Sequence, residues 1–243
     1  MSFSYGWRGP NIVKDGLVLY LDPGSPNSYY NKTGNTITDI SGNGNNGTLT
    51  NFGSQTIYDS NNGGSIVLDG TNDYIEISSG GNHIPNLTKC SYNFFVKFTN
   101  FSKAYNSLAE TYDINGGTSN YQFTTLVKSN GKLAFYVFNT LGNQSSYDGT
   151  GTFTLSTNTW YMLTFVFQGS NIQQGYVNGV LDGSVINPVA SIASSSQNLR
   201  LGYSVFADRY PGVRIAQAQI YNRALSAQEI LQNFNATRSR FGL

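Results

Sequence analysis

The sequence predicts an all-β protein, and three observations carry that prediction. About a dozen short apolar runs recur between clusters of Gly and Asn from one end of the 243-residue chain to the other. Turn formers and aromatic residues are abundant together, with 27 Gly, 29 Asn, 17 Tyr and 15 Phe. Charged residues make up only 11% of the chain, against about 25% in an average soluble domain. The aromatic content supplies a core and sets the chain apart from disordered segments. At this length a β domain buries about 70–75% of its unfolded surface without covalent staples.

The strands follow in order. Leu17 to Leu21 is the first apolar run, then Ser65 to Leu68 and Tyr74 to Ile77, each bounded by Gly, Asn or Asp. Tyr92 to Phe98, Tyr121 to Lys128 and Leu133 to Phe138 form the middle of the chain. In Trp160 to Phe167, alternation puts Tyr161, Leu163, Phe165 and Phe167 on one face and Trp160, Met162, Thr164 and Val166 on the other. Both faces are apolar, as expected of a central strand. Gly175 to Val177, Leu199 to Leu201 and Val213 to Tyr221 complete the set. Asn130-Gly131 and Asn178-Gly179 sit between apolar runs, where type I′ turns would close two tight hairpins. The segment from Leu225 has helical grammar: Ser226 at the N-cap, Glu229 to close a capping box, and Leu225 with Ile230 as a hydrophobic staple. Leu231 and Phe234 continue the stripe of a short C-terminal helix. No repeat or compositional break divides the chain, which predicts a short N-terminal arm over residues 1–10 and one domain over 11–243.

Composition excludes several function classes. A net charge of +1 with no block of like charges gives no field to gather phosphates, so nucleic acid is not an expected partner. One His, one Cys and three Glu leave no mechanism that needs several imidazoles or thiolates. Cys90 has no partner for an internal disulfide and reads as a small buried residue. The first residues show no charged start followed by an apolar stretch, and Leu17 to Leu21 is too short to span a bilayer, so neither export nor membrane insertion is expected.

Specific strings go further. Gly16-Leu-Val-Leu-Tyr-Leu-Asp22, then Asp39-Ile-Ser-Gly-Asn-Gly-Asn-Asn-Gly47, then Ser65-Ile-Val-Leu-Asp-Gly-Thr-Asn-Asp-Tyr74 resemble the opening third of laminin-G-like, concanavalin A-type jelly rolls. Asn158-Thr-Trp160-Tyr161 with Tyr176-Val-Asn-Gly179, and Ile220-Tyr-Asn-Arg-Ala-Leu-Ser226 with Glu229-Ile230, resemble that family's later strands and closing helix. The resemblance covers nearly the whole chain and implies a two-sheet antiparallel jelly-roll sandwich with a short C-terminal helix. Pro10-Asn-Ile-Val and Asn235-Ala-Thr-Arg-Ser-Arg-Phe241 are similar to virion structural proteins of large tailed bacteriophages. They imply a place on the phage particle, as capsid decoration, accessory fibre or adhesin, among other virion proteins.

Fold alone does not give function, and each chemistry needs its own residues. A hydrolase on this fold would carry two or three carboxylates alternating on one strand. The nearest cluster, Glu110-Thr-Tyr-Asp113, has a spacing of three that puts its acids on opposite faces. His83 stands in a loop sequence with no acid or nucleophile at a suggestive spacing. The expectation is therefore a non-enzyme that requires no cofactor. Relatives often carry Ca²⁺, and Asp22, Asp39, Asn43, Asp69 and Asp73 offer hard oxygens for it. Against that, Asp39-x-Ser-x-Asn-x-Asn lacks a terminal bidentate acid, and Ile215-Ala216-Gln217-Ala218 replaces an acidic pair found in many relatives.

Sugar binding calls for rings that stack on pyranose faces beside amides and carboxylates. Tyr29, Tyr30, Tyr112, Tyr147, Tyr203 and Tyr210 lie in or beside loop-like segments and are the candidate ligand residues, with host-surface glycans as the candidate ligand, while the same Tyr and Asn also suit the plain surface of a soluble β protein. Trp7 and Arg8 near the start, and Arg238, Arg240 and Phe241 near the end, are of the types enriched at interfaces and are the candidates for docking to a neighbouring subunit, including a second copy of the chain. A bacterial carbohydrate-binding module and, further off, a glycoside hydrolase are the alternatives.

Overall fold

The structure is a computed structural model and describes residues 10–54, 57–78, 88–111, 123–139, 144–170, 172–186, 189–193, 197–204 and 209–243. Among these, the strands in chain order are β1 (Leu17–Leu21), β2 (Thr36–Ile37), β3 (Gly47–Thr50), β4 (Tyr58–Asp59), β5 (Ser65–Asp69), β6 (Tyr74–Ile77), β7 (Lys89–Phe98) and β8 (Tyr105–Thr111). They continue as β9 (Phe123–Lys128), β10 (Leu133–Phe138), β11 (Gln144–Asp148), β12 (Trp160–Gln168), β13 (Ile172–Val177), β14 (Val180–Ile186), β15 (Leu199–Leu201) and β16 (Gly212–Tyr221). One helix, α1 (Ala227–Thr237), follows.

Two antiparallel sheets share these strands. The first runs β14-β13-β12-β7-β16-β5-β4, with β1 pairing the second half of β16; the second runs β11-β10-β9-β8-β15-β6-β3-β2. This is the jelly-roll sandwich the sequence predicts. Phe94, Leu163, Phe165 and Ile215 of the first sheet meet Leu108, Val127, Phe135 and Leu199 of the second in one buried core.

Alternation gives the first sheet a second apolar face. Phe95, Trp160, Met162, Val166 and Tyr221 point away from the inter-sheet core and pack with Ile230, Phe234 and Phe241. The two-faced reading of Trp160 to Phe167 is thereby realised: one face fills the sandwich and the other receives the helix. A bulge between Ile215 and Gln217 shifts the register of β16, so that Val213 and Ile215, then Ala218 and Ile220, all face inward. Helix α1 begins with the predicted capping box, in which the Glu229 amide donates to the Ser226 hydroxyl and the Ser226 amide donates to the Glu229 carboxylate.

The two predicted turns differ. Asn178 and Gly179 both have positive φ, 52° and 82°, and join the paired Val177 and Val180 as a two-residue type I′ hairpin. In the other, Gly131 has positive φ but Asn130 does not, and the Lys128 amide donates to the Lys132 carbonyl. That connection is a three-residue loop closed by a left-handed glycine, the next commonest hairpin solution.

Candidate functional site

With one face of the first sheet under the helix, the outward face of the second sheet is where side chains gather beyond the core. Ile75, Ile77, Leu199, Leu201, Ala109, Phe123 and Phe135 point inward, so their strand neighbours point out. The register aligns those neighbours in one row. Thr48 opposes Glu76, Glu76 opposes Arg200, and Arg200 opposes Glu110. Glu110 opposes Thr124, Thr124 opposes Tyr136, and Tyr136 opposes Ser146. Seven strands thus contribute to a polar line across the sheet.

Arg200 lies between the two glutamates and donates through Nε to Glu76 Oε1 at 3.2 Å. Glu110 and Thr124 are buried although they face away from the core. Partly exposed rings stand around the row. Tyr203 and Tyr210 stack with centroids 4.4 Å apart and planes at 8°, and Tyr74 lies against Tyr203 at 5.1 Å. The Arg200 guanidinium sits 5.7 Å from the centre of the Tyr203 ring, and that of Arg209 sits 4.5 Å from Tyr105. Tyr105 meets Tyr136 edge to face. Lys128 pairs with Asp148 at 2.9 Å, a contact that holds the lysine's pKa above its ordinary value. Burial, then a hydrogen bond to the Asp148 carboxylate, raises the Tyr136 hydroxyl pKa, so it stays a proton donor at any physiological pH.

Of the tyrosines singled out from sequence, Tyr203 and Tyr210 meet here. Tyr29 and Tyr147 do not belong to any ligand surface. Tyr29 is fully buried in the core with its hydroxyl on the Gly34 carbonyl, and Tyr147 is fully buried with its hydroxyl on Asp182 at 2.7 Å. Tyr30 is exposed on a 3₁₀ turn. Tyr112 and His83 lie outside the described residues, as do Trp7 and Arg8. Sequence reasoning missed Tyr74, Tyr105, Tyr136 and the row itself. Alternation in Tyr74-Ile-Glu-Ile and Leu-Arg200-Leu marks the outward positions, but only strand register brings Glu76 and Glu110 to either side of one arginine.

Of the predicted docking residues of the C-terminus, Phe241 and Arg240 are engaged within the chain, whereas Arg238 stays exposed. Phe241 is buried against Phe95 and Trp160, and the Arg238 guanidinium lies over the Phe234 ring. Arg240 pairs with Asp22 at 2.8 Å and donates to the backbone carbonyls of Asn62 and Gly64. Gly24 lets the guanidinium approach this closely, because a Cβ there would collide with it and with the Gly63 carbonyl.

The proposed calcium ligands do not fit that ion. Asp22 already receives Arg240, the Gln217 amide and the Tyr20 hydroxyl. Asp39 accepts the backbone amides of Tyr20, Ser41 and Asn45, which makes it the brace of its own loop. Asp69 and Asp73 accept the amides of Thr71 and Asp69, and the Asn43 amide donates to the Leu17 carbonyl. No group of three or more His, Cys, Asp or Glu among the described residues is arranged to hold a metal ion. The Gln217 side-chain amide donates to Asp22, which is the chemistry of a neutral brace.

The sandwich, its helix-covered sheet and its open polar face define a lectin-type jelly roll. The chain belongs to the concanavalin A-like lectin/glucanases superfamily, whose family model matches residues 69–231. Among solved structures it is similar to domain 4 of AbnA, an extracellular arabinanase of Geobacillus stearothermophilus, in complex with arabinotriose. That likeness has a TM-score of 0.66 at 18% identity over 90% of this chain and 98% of that one. It is also similar to the receptor-binding domain of botulinum neurotoxin type G, with a TM-score of 0.65 at 19% identity over 90% of this chain and 51% of the other. A third likeness is to the serotype D ligand-binding domain in complex with N-acetylneuraminic acid, with a TM-score of 0.64 at 16% identity over 91% and 51%. The chain spans about half the length of the toxin chains. At these identities the likeness is one of fold. No curated protein matches the sequence.

Proposed function

We propose that the protein is a non-enzymatic glycan-binding module of a bacteriophage virion, and that it binds through the outward face of its second sheet. The observation that carries this reading is the set of partly exposed tyrosines, Tyr74, Tyr203, Tyr210 and Tyr105, beside a row of carboxylate, guanidinium and hydroxyl groups. Rings to stack on a sugar and fixed polar groups to orient its hydroxyls are the two requirements of such a site. Similar folds bind arabinotriose and N-acetylneuraminic acid, which supports the ligand class. Arg200 stands in register between Glu76 and Glu110 and donates to Glu76, which favours a binding role for these carboxylates over an acid–base pair. Residues near both ends resemble virion proteins, and a binding face favours host recognition by an adhesin over capsid decoration or an accessory fibre.

A glycan array probed with the labelled protein tests the binding. Saturable binding to a subset of glycans is expected, with Tyr203→Ala and Tyr210→Ala each weakening it about tenfold, the equivalent of ~1.4 kcal/mol. Binding that persists unchanged in both variants would move the site elsewhere. Antibody labelling of purified virions tests the setting, with label at the tail tip expected. Virions that lack the polypeptide would leave the bacterial carbohydrate-binding module as the reading to adopt.

A further inference from the structure

Five of the six large apolar side chains exposed among the described residues lie at one edge of the first sheet: Val180, Leu181 and Ile186 on β14, Phe153 on the segment bonded to it, and Leu231 on α1. Leu231 is 45% exposed although it continues the apolar stripe of the helix. The turn that opens β14 rests on it, so closely that a Cβ at Gly179 would stand 3.1 Å from the leucine's Cδ1. Leu181 stands opposite Tyr176, which packs toward the helix. Helix and hairpin therefore share one apolar strip, and a strip of this kind marks a surface that something covers. We infer that its cover is the chain's own first nine residues, which fold back across α1 and set Trp7, Tyr5 and Phe3 on Leu231, Val180 and Leu181.

The place where the described chain begins favours this occupant. The Gln232 side chain donates to the Asn11 carbonyl and the Asn233 side chain accepts from the Val13 amide, so residues 1–9 leave from the surface of α1 itself. Leu231 and Asn233 lie about 200° apart around the helix, which puts the anchor and the strip on opposite flanks. Nine extended residues reach about 30 Å, enough to cross a helix about 10 Å wide. Their sequence, Met-Ser-Phe-Ser-Tyr-Gly-Trp-Arg-Gly, alternates with period two. In an extended chain Phe3, Tyr5 and Trp7 share one face, and Ser2, Ser4 and Arg8 share the other. That is the pattern of a strap with an apolar underside and a polar back. The tether favours the chain's own strip over a neighbour's, because it holds the arm at an effective concentration of about millimolar. The strip lies on the helix side of the molecule, apart from the tyrosine face, and its cover does not depend on glycan binding.

Fluorescence of Trp7 in the full chain tests the inference, with Trp160→Phe removing the other tryptophan. Trp7 is expected to emit to the blue of a free peptide of residues 1–10 and to be quenched by acrylamide about threefold less than that peptide. Leu231→Asp, and separately Val180→Ser with Leu181→Ser, should return both readings to those of the peptide. Tyr30→Ser, at an exposed ring elsewhere, should change neither. Matched unfolding curves separate a released arm from a lost fold. Trp7 as accessible as in the peptide, or protected whatever the substitution in the strip, would overturn the inference. Protection that fades on dilution, with a dimer in analytical ultracentrifugation, would also overturn it and make the occupant the arm of a second copy.

Discussion

Arg223 and Glu229 show what a single pair of side chains contributes. The guanidinium donates to both carboxylate oxygens at 2.9 and 2.6 Å, and the Ser226 amide and hydroxyl add to them. The arginine bonds chiefly, then the Ser226 bonds, hold the Glu229 carboxyl at about 2, below its ordinary 4.5. A depressed acid stabilises the fold fully above its unfolded pKa and loses that contribution as pH falls through the folded one. For a partly exposed pair the contribution is about 1–2 kcal/mol. Arg223→Gln should therefore be less stable than the parent by that amount in urea unfolding at pH 6. The gap should narrow between pH 4.5 and 2. This box was legible in the sequence because its bonds span three residues. The fates of Tyr29 and Tyr30 were not, since adjacent tyrosines in one loop are distinguished only by what packs over them, a core in one case and solvent in the other.

Strands and their edges raise a different question, since an unpaired edge invites another chain. β14 ends the first sheet and carries the exposed Val180, Leu181 and Ile186. Its middle is guarded. The Thr152 amide donates to the Asp182 carbonyl, the Phe153 amide to the Asp182 carboxylate, and the Tyr147 hydroxyl to the same carboxylate. A connecting segment thus pairs with the edge where another strand would otherwise add. Asp182→Ala should cost about 1–3 kcal/mol through the unpaired Tyr147 hydroxyl and Phe153 amide. It should also raise self-association in analytical ultracentrifugation; a variant that stays as monodisperse as the parent would show that the edge needs no guard. The sequence made the strands visible through alternation and Gly/Asn punctuation. It hid the guard, because Tyr147 and Asp182 meet only after the two strands between them, β12 and β13, have folded.

At the scale of the molecule, β16 is the strand on which the first sheet depends. It pairs with β7 along one side and with β5 and β1 along the other, joining residues about 115 to 200 positions apart. Loop closure must be completed before such contacts can stabilise anything, which makes folding slow. Refolding followed by Trp160 fluorescence should fall in the range of about milliseconds to seconds, and a microsecond phase accounting for the full amplitude would contradict the topology. The overall architecture was legible because the landmarks occur in family order along nearly the whole chain. The site was half legible: Tyr203 and Tyr210 announced themselves as loop aromatics, whereas Glu76, Arg200, Glu110 and Thr124 come from four strands whose alignment no local pattern encodes.

The helix-covered sheet has one more consequence, which concerns orientation. The Val13 amide donates to Asn233, the Gln232 side chain to the Asn11 carbonyl, and Phe241 lies against the same sheet, so the described chain enters and leaves on one side. The tyrosine face looks out from the other. A body held by either end therefore presents its tyrosines away from whatever holds it, as a hand presents its palm away from the wrist. Copies set side by side on a scaffold would share one heading. Weak individual grips could then add into a strong collective one, because the first capture raises the local concentration of sugar for the second.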